Sequence, residues 1–92
     1  MRERLTEIIS SVTRPDRCWI EMEELTGISR ARWQNVVRGH QRPTADMIEA
    51  IGRVWPQYAF WLVTARTDEA SGHVSPTLER IARDLQTIRK AG

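Results

Sequence analysis

The chain has 92 residues, 40% of them apolar, with a formal net charge of +2 and a single cysteine. That size suits one domain with a short appendage, held by a modest core with a narrow stability margin. The lone Cys18 excludes an internal disulfide, the longest apolar run (YAFWLV, 58–63) is too short for a bilayer, and MRERLTEIIS lacks a stretch of signal-peptide length, so the expectation is a soluble cytoplasmic protein with no membrane partner.

The apolar spacing predicts helices from end to end. Leu5, Ile8, Ile9 and Val12 form a first stripe, ended by Pro15. Asp16 is the expected N-cap of a second helix over about 17–26, with Trp19, Met22 and Leu25 inward. Gly27 breaks it and supplies the permissive backbone of a tight turn. Ser29 is placed to cap a third helix over about 29–38, which Gly39 ends. Pro43 and Thr44 open a fourth, with Met47, Ile48, Ile51 and Val54 at i, i+1, i+4 and i+7. Pro56 separates a short aromatic fifth segment containing Tyr58, Phe60, Trp61 and Leu62. Trp33, Trp55 and Trp61 are expected in the core.

A polar connector spans 67–74 and precedes a C-terminal helix over 75–92, with Ser75 as cap and Pro76 at its first position. Leu78, Ile81, Leu85 and Ile88 recur at three, four and three residues. This seam is too short to sustain a coiled coil by itself and is assigned as a dimerisation element. No β alternation, repeat or low-complexity tract interrupts the pattern, and the class is all-α.

The basic charge is concentrated. Thirteen of the fourteen cationic residues are arginine, and residues 29–45 carry Arg30, Arg32, Arg38 and Arg42 without an acid, whereas 16–24 carry Asp16, Glu21, Glu23 and Glu24 against Arg17. Local charge of this kind builds an interaction footprint. In the third helix the period aims Ile28, Trp33 and Val36 inward and leaves Arg30, Ala31, Arg32, Gln34, Asn35 and Arg38 largely outward. Arginine can donate two bonds to guanine, and Gln or Asn can exchange a donor and an acceptor with adenine. Ser29, Arg38, His40, Gln41, Arg42 and Thr44 are suited to phosphates, which position a helix without reading sequence.

The run LTGISRARWQNVVRGHQRPTADMIEAI resembles the helix-turn-helix core of the phage-repressor family of transcriptional regulators, the Cro and XRE type. It keeps the turn Gly27-Ile28-Ser29, the Arg38-Gly39 closure of the recognition helix, and Pro43 opening the next helix. YAFWLVTA is similar to the W-L-x-T-G segment that follows the five-helix domain in such repressors. The resemblance implies a five-helix DNA-binding domain over 1–66, with the C-terminal amphipathic helix as an addition. It places base reading on Arg30, Ala31, Arg32, Gln34 and Asn35, and phosphate contacts on Ser29, Arg38, Arg42 and Thr44. The departures lie mainly in helix 2. Glu23 stands where a small residue is usual, so helix 2 is expected to be rotated or the turn lengthened by one residue. Trp19 replaces a frequent glutamine, Val37 a frequent glutamate, and Ala65 the usual glycine.

The function expected from residues and resemblance together is sequence-specific binding of double-stranded DNA by a homodimer, as a small phage or mobile-element type repressor acting on an inverted repeat. The alternative is a protein-interaction module on the same scaffold, an antitoxin or anti-activator, meeting its partner through the acidic helix 2 or the C-terminal helix. No Ser/His/Asp set, phosphate-cradling glycine loop or carboxylate pair supports an enzyme. His40 and His73 lack companions at ligand spacing, so neither metal nor cofactor is expected.

Overall fold

A computed structural model of the chain describes residues 1–91, with side chains through residue 88. Six α-helices follow one another: α1 (Arg2–Val12), α2 (Cys18–Thr26), α3 (Arg30–Val37), α4 (Ala45–Val54), α5 (Pro56–Thr64) and α6 (Pro76–Ala91), with one 3-10 turn at Glu69–Ser71. Among the described residues there is no strand, and a single antiparallel bridge pairs Asp68 with His73.

The core follows from one apolar face per helix. Leu5, Ile8 and Ile9 of α1 meet Met22 of α2, Trp33 and Val36 of α3, Met47 and Ile51 of α4, and Tyr58 and Leu62 of α5. Helix α1 runs through the middle, touching α2, α3, α5 and α6. Trp33 is fully buried and is the largest side chain to be so. Trp55 and Trp61 pack against this core only partly buried, and Trp19 does the same from α2.

Helix α2 departs from the expected register. Leu25 is 48% exposed, and Thr26 takes the inward place at 5%. A buried threonine is tolerated because its polar groups are bonded. Glu23 is half-buried and faces Arg30 of α3, and the turn between α2 and α3 covers three residues, 27–29. Asp16 does not cap α2. The N-cap residue is Arg17, without a side-chain bond, and the carboxylate of Glu21 instead accepts the Arg14 backbone N–H at 2.9 Å. Ser29 and Thr44 occupy the N-cap positions of α3 and α4, again without side-chain cap bonds.

Two arginines are absorbed by helix ends. Arg53 donates to the Thr26 carbonyl at 3.2 Å and Arg4 to the Leu62 carbonyl at 2.9 Å, satisfying acceptors that a helix leaves open at its C-terminus. Gly27, with φ +76°, closes α2 in the left-handed region, and Ala65, with φ 63°, does so for α5.

The connector is tied down. Asp68 and His73 exchange two backbone hydrogen bonds at 2.7 and 2.9 Å, and the Val74 N–H reaches the Gln57 carbonyl at 3.0 Å. The His73 ring lies against Phe60 with centroids 4.9 Å apart. Ser75 caps α6 by accepting the Leu78 N–H at 3.1 Å. Thr77 bonds Glu7, and the Tyr58 hydroxyl donates to Glu79 at 2.9 Å. Beyond that anchored first turn α6 leaves the body, and Ile81, Leu85 and Ile88 are 48%, 51% and 67% exposed. The radius of gyration is accordingly 14.1 Å, against about 12 Å for a compact chain of this length.

Candidate nucleic-acid interface

The α2–turn–α3 unit is locked by one hydroxyl. Thr26 Oγ1 donates to the Met22 carbonyl at 2.5 Å and accepts both the Ile28 N–H at 3.2 Å and the Trp33 indole N–H at 3.1 Å. The residue that ends α2 thus orients the largest core side chain of α3. With Trp33 and Val36 fixed inward, the helical period sets what faces out. Ala31, Gln34, Asn35 and Arg38 lie opposite the core, and Arg30 and Arg32 flank them on either side. Ala31, Arg30 and Arg38 are exposed, while Gln34, Asn35 and Arg32 are half-buried.

The flanking arginines are paired, each with an acid from outside the basic run. Arg30 Nε donates to Glu23 of α2 at 2.6 Å. Arg32 holds Asp46 of α4 through both terminal nitrogens, Nη1 at 2.8 Å and Nη2 at 2.9 Å, and Nη2 also reaches the Thr44 hydroxyl at 2.7 Å. The Thr44 hydroxyl in turn donates to Asp46. The Arg32 guanidinium, and then the Thr44 hydroxyl, hold the Asp46 carboxyl far below the usual carboxylate range, and the same bond raises Arg32. Both pairs are substantially exposed, so each contributes little to stability, and their main effect is to fix where two long side chains point.

The remaining cations gather past the end of α3. An open groove of about 690 Å³ between the start of α1 and the α3–α4 loop is lined by Arg2, Gly39, His40, Gln41 and Arg42, together with one acid, Glu3. Gly39 has φ +80°, and a Cβ there would run into the Arg2 guanidinium, so the bare backbone leaves room for the end of the Arg2 side chain. The expected phosphate residues Ser29, Arg38, His40 and Arg42 are exposed and Gln41 is half-buried. Thr44 stands apart because its hydroxyl is engaged with Arg32 and Asp46.

Three contributors to this face were not among the residues expected from sequence. Arg2 lies more than thirty positions from the loop it joins, and Glu23 and Asp46 act through partners on other helices. Only the absence of acid between 29 and 45, bounded by Asp46, hinted at the last. Among the described residues no helix is long and apolar enough to cross a membrane, and no three His, Cys, Asp or Glu side chains are grouped to hold a metal ion. Comparisons with protein-family models, curated proteins and solved structures find no match.

Proposed function

We propose that this chain is a sequence-specific double-stranded-DNA-binding regulator of the phage-repressor, XRE-like type, acting as a homodimeric repressor on an inverted repeat. The observation that carries the reading is the outward face of α3. It holds two amides, an alanine and arginines, has no acid of its own, ends at the exposed Arg38, and is continued by a groove in which Arg2, His40, Gln41 and Arg42 outnumber the single acid Glu3. Laid in a major groove, Gln34 and Asn35 pair with base edges, Ala31 allows close approach, and the loop cations and the Ser29 hydroxyl, which makes no cap bond to α3, take phosphates on the flanking strand. The exposed stripe Ile81, Leu85 and Ile88 joins two copies, with the half-buried Leu78 at its start.

The protein-interaction alternative draws on that same stripe and loses support at α2. Glu21 is held by the Arg14 amide and Glu23 by Arg30, which leaves Glu24 as the only α2 carboxylate without a partner among the described residues. The test is selection of random duplex DNA by the purified protein, with affinity followed against salt. Enrichment of an inverted repeat with half-site centres roughly 34 Å apart supports the reading. Weak binding that fades with salt and enriches no motif transfers the function to a protein partner.

A further inference from the structure

Arg30 and Arg32 are both held by carboxylates, but through different edges of the guanidinium. Glu23 takes only the Nε–H of Arg30, at 2.6 Å, and no other hydrogen bond engages that group among the described residues. The end of the fork, Nη1 with Nη2, stays open. For Arg32 the reverse holds: Asp46 takes Nη1 and Nη2 at 2.8 and 2.9 Å, and Thr44 shares Nη2 at 2.7 Å. Two parallel N–H groups are what a guanidinium offers to guanine O6 and N7. Arg30 has such a pair free and its stem fixed; Arg32 has its end-on pair consumed.

We propose that Glu23 is a positioning residue that orients Arg30 to read guanine, and that Asp46 and Thr44 withdraw Arg32 from reading and make it a strut between α3 and α4. The inference rests on the DNA-binding reading above and divides two arginines that the sequence treats alike. Fixing a long side chain before binding reduces the ordering cost at contact, which is where a weak exposed ion pair has leverage. A carboxylate beside the groove also repels phosphate, so it penalises sequence-blind binding and lets a correctly placed guanine compete.

The test selects random duplexes with the full chain as wild type and as the variants R30A, E23A, E23Q and R32A, with circular dichroism and thermal melting on each. R30A should abolish a guanine preference at one position of each half-site, a loss of about tenfold or more. E23A should lose most of that same preference while binding random DNA more tightly, and adding E23A to R30A should cost no further preference. E23Q, whose amide oxygen still accepts the Nε–H, should retain part of it, and this variant decides the matter if E23A unfolds. R32A should keep every base preference, with at most a small drop in melting temperature. The inference is overturned if E23A and E23Q keep the full guanine preference, or if R32A flattens a base position. A wild-type protein that enriches no motif overturns the DNA-binding reading itself.

Discussion

The body formed by α1 to α5 and the C-terminal helix α6 carry the same kind of apolar stripe, yet the stripe ends in opposite places. In α1, Leu5, Ile8 and Ile9 are at most 3% exposed, whereas in α6 Ile81, Leu85 and Ile88 are about half exposed or more. The difference is not in the pattern but in the partner: α1 packs against four helices, while the hydrogen bonds that tie α6 to the body among the described residues come from its first turn. A helical period therefore states that a face seeks cover. It does not state whether the cover is in the same chain.

The comparison breaks most sharply at Trp33. Trp33→Ala should remove about 3–5 kcal/mol, most of the stability of a domain this small, as read by urea denaturation. Thr26→Val keeps the volume but leaves the Trp33 indole N–H and the Ile28 N–H without their acceptor, and should cost about 1–3 kcal/mol in the same measurement. Ala65→Gly works in the other direction. It relieves a left-handed alanine at the end of α5 and should add about 1 kcal/mol, raising the melting temperature.

Acid tests the strut on the body's outer side. The Asp46 carboxyl titrates below its ordinary value of 3.8 in the folded chain, so its contribution is fully present above that value and is lost as pH falls through the folded one. Asp46→Asn should remove that contribution at neutral pH, a small loss because the pair is exposed, and flatten the acid limb so that the variant and wild-type stability–pH curves converge as pH falls. The smallest effect on the body is expected from the triple change of Ile81, Leu85 and Ile88 to Ala. Each of these positions is solvent-exposed in the single chain, so monomer stability should stay within about 0.5 kcal/mol per site. If the proposed homodimer forms through this stripe, sedimentation should show the wild type as a dimer and the triple variant as a monomer; a variant that stays dimeric would place the self-contact elsewhere.

Much of the fold was legible in the sequence, because helices are written in local signals. Gly27 and Gly39 ended helices through the positive φ that glycine adopts freely, Pro56 and Pro76 opened them, and Ser75 capped α6 through its hydroxyl. The misread residues were those whose role depends on a neighbour far along the chain. Leu25 and Thr26 exchanged places because the buried hydroxyl found three hydrogen-bond partners, something hydrophobic periodicity does not count. Asp16 and Ser29 satisfied the composition of a cap without making its bond.

The same division runs through the candidate interface. By itself the sequence determined that one short helix would be arginine- and amide-rich, because side-chain chemistry and a 3.6-residue period are local properties. Only the tertiary structure decided which of those arginines is available. The pairing of Arg30 with Glu23 and of Arg32 with Asp46 depends on how α2 and α4 pack beside α3, and the approach of Arg2 to the loop at Gly39 depends on where α1 begins. Charge is counted along the chain, but it is neutralised or left free across space, over distances that only the packed fold sets.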